Sequence, residues 1–455
     1  MSPRKIPLVP PKKPRASAVP KSRLSRMLQL GATASRMAAG GIAEKTRRLA
    51  ERAEEHLPNS LLNRKNAALL ADKLSRLRGA AMKLGQMLSL EGGNLLPAEF
   101  ARALEALQAN ADRMPQAQVE EVLAREYGGD WRSRFEHFEF SPIASASIGQ
   151  VHRATSHTGE ELALKLQYPG VAESVDSDVD NLMLLIKMTR LVPQELDLDE
   201  LSFEVKRQLR EEVDYELELS HLIAYTEHVQ SRPGFRLPRA FPELSTRRIL
   251  ATELVQAPPL LEWSKTAPLA ERNGVGKRLL ALLLAELFEF RFMQTDPNPG
   301  NYLFDPASGD VVLLDFGAAR AVPEAVSQLY RRALLAVARG DRAALCDAFT
   351  DLGVIYPGLA PEARDILLDG ALFLTEVLGR DVDFDFSTTD LSQRMHTHGK
   401  QLRRFRNQLR PPPLSYLFFQ RKLGGAFLMS RQLGASINCH RLLHETGLLD
   451  PRPTS

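Results

Sequence analysis

At 455 residues the chain is long enough for two or three domains, and its 44% hydrophobic and 25% charged content is that of a soluble globular protein. Two cysteines, Cys346 and Cys439, exclude a disulfide framework and fit a reducing compartment, and no Cys/His cluster suggests zinc. The net charge of +3 is uneven: the first 50 residues carry roughly +11, with Glu44 as their one acid, which leaves a folded body of about −8 behind a basic arm.

Residues 1–23 place prolines at 3, 7, 10, 11, 14 and 20 among basic side chains, a composition that builds no core and predicts a disordered basic arm. No secretory signal is evident there, because the segment lacks an apolar centre. Residues 24–130 read as a helical extension. Its start mixes Leu24, Met27, Leu28 and Leu30 with Arg and small residues, which fits either a helix lying on an anionic membrane surface or a weak surface or targeting helix. Within it lies Ala80-Ala81-Met82-Lys83-Leu84-Gly85-Gln86, where Lys83 and Gln86 share one helical face and the small residues permit close packing.

Strand character begins near Phe138. A Ser/Ala loop leads into a strand at Gly149–Ala154, a turn at 156–160 and a strand at Leu162–Leu166, which together predict an antiparallel meander. Helices are predicted at about 173–192 and 199–231, then a strand at Arg248–Leu254. From about 270 the chain reads as helical. The exception is a hairpin at Tyr302–Phe304 and Val311–Leu314 around the turn Asp305–Gly309. Its most apolar stretch, Leu279–Met293, is interrupted by Glu286, Glu289 and Arg291 and is too short to span a bilayer. The reading is α+β, with an N-lobe at 131–256 and a C-lobe at 257–455.

The chemistry concentrates around that hairpin. Asp296 is followed five residues later by Asn301 and, fourteen further on, by Asp315-Phe316-Gly317. Protein kinases use this spacing so that the first Asp orients or deprotonates the acceptor while the Asn and second Asp ligate magnesium. Gln294-Thr295 stands where His-Arg is usual. Upstream, Ala144-Ser145-Ala146-Ser147-Ile148-Gly149-Gln150-Val151 keeps the last Gly and the Val of a kinase phosphate loop but has alanine at the first two glycine positions. Alanine there stiffens a loop whose backbone N–H groups must approach phosphates. Lys165, in Leu162-Ala163-Leu164-Lys165, is placed to pair with the α- and β-phosphates. Its carboxylate partner could be any of Glu211, Glu212, Asp214, Glu216 or Glu218, and spacing alone does not choose among them. Glu253 and Val255, after a strand, could offer main-chain groups to adenine.

With these motifs in place the chain resembles the UbiB-like (AarF/ADCK) atypical kinases over roughly residues 60–445. Lys83-Leu84-Gly85-Gln86 is similar to that family's K-x-G-Q signature, Ala144–Val151 to its alanine-rich loop, Leu164–Val171 to its lysine strand and Glu212-Val213-Asp214 to its E-x-D motif. Gln294-Thr295-Asp296 and Leu423–Leu428 resemble the branch that serves coenzyme Q biosynthesis. The resemblance implies a protein-kinase-like bilobal fold with an antiparallel-sheet N-lobe and a helical C-lobe, and ATP or ADP with Mg2+ as cofactors. It assigns Asp296, Lys165 and Glu218 to catalysis, and Asn301 and Asp315 to the metal. Ala144, Ala146, Ser147, Gly149, Val151, Lys165, Glu253 and Val255 fall to the nucleotide. Lys83 and Gln86, meeting Glu212 and Asp214, would regulate access to the site.

It further implies an ATPase at a membrane surface that supports ubiquinone biosynthesis. A small-molecule or lipid kinase, and a nucleotide-gated lipid-presenting scaffold, are the alternatives. Expected partners are nucleotide, an anionic membrane surface and quinone-pathway lipids or enzymes, without nucleic acid. The expected location is cytoplasmic, peripheral to a bacterial inner membrane, or on the matrix side in a mitochondrion.

Overall fold

The structure is a computed structural model that describes residues 113–189, 198–405, 408–409 and 414–449. The basic arm and most of the helical extension, with Lys83 and Gln86, lie outside the described residues. The described chain divides into two units: one runs to Glu216 and takes in Phe241–Leu254, the other holds Leu217–Ala240 and everything from Val255 on.

The first unit is built on an antiparallel sheet. Helix α1 (Gln116–Tyr127) precedes β1 (His137–Phe138), β2 (Ala144–Ser145), β3 (Gly149–Thr155) and β4 (Glu161–Gln167). Helices α2 (Val171–Thr189) and α3 (Leu198–Glu212) follow and pack side by side. Helix α4 (Tyr215–Val229) begins in this unit and continues in the second, which also holds β5 (Phe235–Arg236); the chain then returns to the first unit for β6 (Ile249–Glu253) and leaves it again at Val255. The sheet order is β1-β3-β4-β6, with β2 also paired to β3.

The meander follows from alternation in sequence. Leu162, Leu164 and Leu166 are fully buried, while Ala163 and Lys165 between them face the other way. Val119, Val122 and Leu123 of α1 join that buried face with Trp131, Phe135 and Tyr168. Each such leucine stabilises the unit by about 1.5–3 kcal/mol.

The helix predicted at 199–231 is two helices. At the break, Tyr215 N–H donates to Arg247 O at 3.1 Å, and Gln167 Nε2 donates to Val213 O at 2.9 Å. The strand segments thus take up backbone groups that a continuous helix would satisfy internally. Asp214 and Glu218 therefore do not share one helical face.

The second unit is mainly helical, with α5 (Leu260–Ser264), α6 (Leu269–Ala285), α7 (Glu324–Arg339), α8 (Arg342–Asp351), α9 (Pro361–Leu372), α10 (Thr375–Leu378), α11 (Leu391–Gly399), α12 (Leu414–Gln432) and α13 (Cys439–Glu445). The predicted hairpin forms as β8 (Tyr302–Asp305) and β9 (Asp310–Leu313), with β5 parallel to β9. Two short ladders join it: β7 (Phe292–Gln294) with β10 (Ala319–Ala321), and β11 (Phe384–Asp385) with β12 (Ser436–Ile437). Tyr225, Leu260, Leu282, Val311 and Phe316 are buried in the core beneath the hairpin. Helix α6 ends in a π-turn at Glu286–Phe290, and Arg291 then takes a left-handed φ of 50°. Such a turn swings the following side chains off the regular helical face.

Candidate active site

In the first unit the Ser/Ala loop closes as a tight connection. Ala144 and Ser145 pair with Val151 and Gln150, and Ala146 N–H donates to Gly149 O at 2.9 Å. Only glycine fits at 149: an added Cβ would lie 2.2 Å from Leu166 O and 3.0 Å from the Tyr215 hydroxyl. Gly149→Ala is expected to push β3 off β4 and destabilise the unit by about 1–3 kcal/mol. Circular-dichroism melts check this, and an unchanged melting temperature would refute the contact.

Val151 stands opposite Lys165, and Lys165 opposite Leu250, so loop strand and lysine share one sheet face. The Lys165 ammonium lies 5.1 Å from the centre of the Tyr215 ring. The Ser147 hydroxyl donates to Glu212 Oε1, tying the loop to the end of α3. Asp214 instead turns to Arg247, 3.6 Å away. Glu253 closes β6 opposite Leu162, and Val255 follows it as the first residue of the second unit's segment.

In the second unit the hairpin gathers the remaining residues. Asn301 Nδ2 donates to Asp296 Oδ2 at 3.1 Å, and Arg421 Nη2 donates to Asp296 Oδ1 at 2.8 Å. Each carboxylate oxygen therefore has a donor. Asn298 caps the short turn by accepting from Gly300 N–H, and Leu314 N–H donates to Asn301 O at 3.0 Å, which holds Asn301 beside the strand that leads to Asp315. Asp315 Oδ1 accepts from Gly317 N–H at 3.0 Å. A Cβ built on Gly317 would stand 3.3 Å from Glu218 Oε2 and 3.4 Å from Asp315 Oδ1, so both carboxylates flank that glycine. Glu218 is buried.

The residues present fit a magnesium ion carried by a nucleotide. Asp315 and the amide oxygen of Asn301, whose nitrogen is engaged by Asp296, are hard oxygen donors. Among the described residues no cluster of three or more His, Cys, Asp or Glu could hold a metal by itself. Mg2+ is held in protein sites through one or two side chains while phosphates and water complete the octahedron, and Asp315 and Asn301 would supply those two.

Beneath Asp296 lies a network that the sequence reading did not pick out. Glu286, fully buried in the π-turn, accepts from the Tyr225 hydroxyl at 2.7 Å and from Gln294 N–H at 3.1 Å. Lys422 of α12 lies 3.1 Å from Glu286 Oε2 and 3.3 Å from Gln294 Oε1. Burial pulls the Lys422 ammonium down, but Glu286 and the Tyr302 hydroxyl outweigh it and hold its pKa above the ordinary value. Burial, with Glu286 adding to it, pushes the Tyr225 phenol well up. Gln294 and Thr295 are thus structural: the first is held by Lys422, and the second donates its hydroxyl to Ala318 O at 2.7 Å. The signals in the sequence were Glu286, a charge inside an apolar run, and the basic pair Arg421-Lys422 before Leu423-Gly424-Gly425.

A family model described as the ABC1 atypical kinase-like domain matches residues 106–349. The chain is 36% identical over 430 residues to the atypical kinase COQ8B, mitochondrial, of Danio rerio, covering 93% of this chain and 68% of that one. It is 33% identical over 434 residues to the atypical kinase COQ8, mitochondrial, of Saccharomyces cerevisiae, covering 95% and 86%. The chain belongs to the ABC1, or UbiB-type, atypical kinase family. Among solved structures, Rv3197 of Mycobacterium tuberculosis, described in complex with erythromycin, is similar with a TM-score of 0.59 and 25% identity over 85% of this chain and 97% of that one. This ABC1 chain accordingly has the α+β, kinase-like fold expected of it. No helix among its described residues is long and apolar enough to cross a membrane.

Proposed function

We propose that this protein binds ATP or ADP with Mg2+ and hydrolyses ATP in support of ubiquinone biosynthesis, acting at an anionic membrane surface. The observation that carries the reading is the bonded Asp296–Asn301 pair set against Asp315 by the β8–β9 hairpin. In this reading Asn301 and Asp315 ligate the metal, which neutralises charge on the phosphates and on the transferring group. Asp296 positions the attacking water or hydroxyl, with Arg421 and Asn301 fixing both its oxygens. Lys165 serves the α- and β-phosphates, and Glu218 is assigned to catalysis as the resemblance implies. Ala144, Ala146, Ser147, Gly149 and Val151 form the stiff cover of the nucleotide, anchored by the Ser147–Glu212 bond. The main chain at Glu253 and Val255 receives adenine.

Lys83 and Gln86, with Glu212 and Asp214 as acidic partners, restrict access for protein substrates. The relatives' mitochondrial names and the basic arm support a peripheral position, on the matrix side of a mitochondrial membrane or the cytoplasmic side of a bacterial inner membrane.

Asp315→Asn is expected to lower Mg2+-dependent ATP hydrolysis by at least 100-fold, measured as phosphate release with and without anionic liposomes. Hydrolysis within twofold of the unsubstituted protein would overturn the metal assignment.

A further inference from the structure

The helical unit contains a cavity of about 760 Å3, wholly within that unit and partly open to solvent. Helices α6 to α13 contribute to its walls, through residues such as Leu284, Phe288, Leu334, Phe349, Leu374 and Phe427. Among the described lining residues none is charged, and the polar side chains are confined to Tyr330, Ser392, Gln420 and Cys439. Four separate apolar clusters of the unit meet around this space rather than closing over it.

Protein interiors are close-packed and leave few voids larger than a water molecule. An apolar space stays dry, so its walls forgo contacts on one side, and the penalty grows with volume. A well-packed occupant removes that penalty. The volume falls within the range of small-molecule sites. A peptide helix about 10 Å across would fill it in under two turns, too short to be held as a helix. A polar or charged ligand would find almost nothing to replace its lost water.

We propose that this cavity binds a single long hydrocarbon chain, acyl or polyprenyl, with its polar head left outside. The site stands on the cavity itself and is independent of the nucleotide reading. It has a direct neighbour in the active site. Gln420, Leu423, Gly424 and Phe427 line the cavity from one face of α12, while Arg421, Lys422 and Gly425 on the adjoining face touch Asp296, Glu286 and Pro297. A chain seated in the cavity therefore packs against the helix that holds the Asp296 loop.

The test is titration of the full chain with dansyl-undecanoic acid below its micelle concentration, followed by displacement with palmitate and with geranylgeraniol. Saturable fluorescence, displaced by either compound, is expected, and the more effective competitor tells an acyl from a polyprenyl occupant. Ala333→Phe and Ala371→Phe fill the space from two different helices, and whichever keeps the parent circular-dichroism spectrum should bind at least tenfold more weakly. Asp315→Asn should bind the probe like the parent even where hydrolysis is lost, which separates this site from the nucleotide site. No saturable signal, displacement by neither compound, or parent-like affinity in a folded filling variant would overturn the proposal.

Discussion

Gly425→Ala is expected to cut the turnover of ATP hydrolysis by about 100-fold, while Gly424→Ala, one residue away, leaves it within twofold. The two glycines differ in what surrounds them. A Cβ on Gly425 would lie 2.0 Å from Cβ of Pro297 and 2.7 Å from its Cγ, whereas nothing lies within 4 Å of one on Gly424. Pro297 follows Asp296 directly and precedes the Asn298 turn that places Asn301. A proline ring has no rotamer to swing away, so either α12 or the loop must move. The loop carries both Asp296 and Asn301, and a displacement on the order of 1 Å is enough to lose two decades in rate. Overpacking also destabilises by about 1–3 kcal/mol, so the assay belongs well below both melting temperatures. Gly424→Ala gains helix propensity and meets open space. Equal turnover in the two variants would show that α12 does not position the loop.

That dependence explains what could and could not be read from sequence. Asp296, Asn301 and Asp315 could be singled out in the sequence because they flank one hairpin, and its short turn keeps their spacing as a local pattern. Lys165 was legible because alternation places it opposite the buried Leu162, Leu164 and Leu166. Arg421 and Lys422 reach Asp296 and Glu286 across more than a hundred residues, and nothing local to α12 announces those partners. The break at Val213-Asp214 was hidden for a related reason. Its cause is a pair of hydrogen bonds to Gln167 and Arg247 on distant segments, while the local residues are compatible with a continuous helix. The β5–β9 pairing was missed because two residues of strand carry no periodicity.

Lys422→Met is expected to be the most destabilising single change in the helical unit. Lys422 and Glu286 are both buried, and removing one partner leaves the other as an uncompensated charge, at about 3–5 kcal/mol. For a unit of this size that lowers the melting temperature by about 10 °C. Glu286→Gln combined with Lys422→Met should recover more than half of the loss. The amide still accepts from the Tyr225 hydroxyl and the Gln294 N–H, and no charge is left without a partner. The pH dependence follows from direction. The folded-state pKa of Lys422 is raised above 10.5, so its contribution is fully present below that value and is lost only as pH climbs through the higher folded value. The gap in melting temperature between parent and Lys422→Met should thus be constant from pH 6 to pH 9 and begin to close above about pH 10.5. A gap that closed below pH 9 would mean that Lys422 titrates as a desolvated lysine and that Glu286 does not hold its charge. The anchoring of Gln294 beneath Asp296 would then need another source.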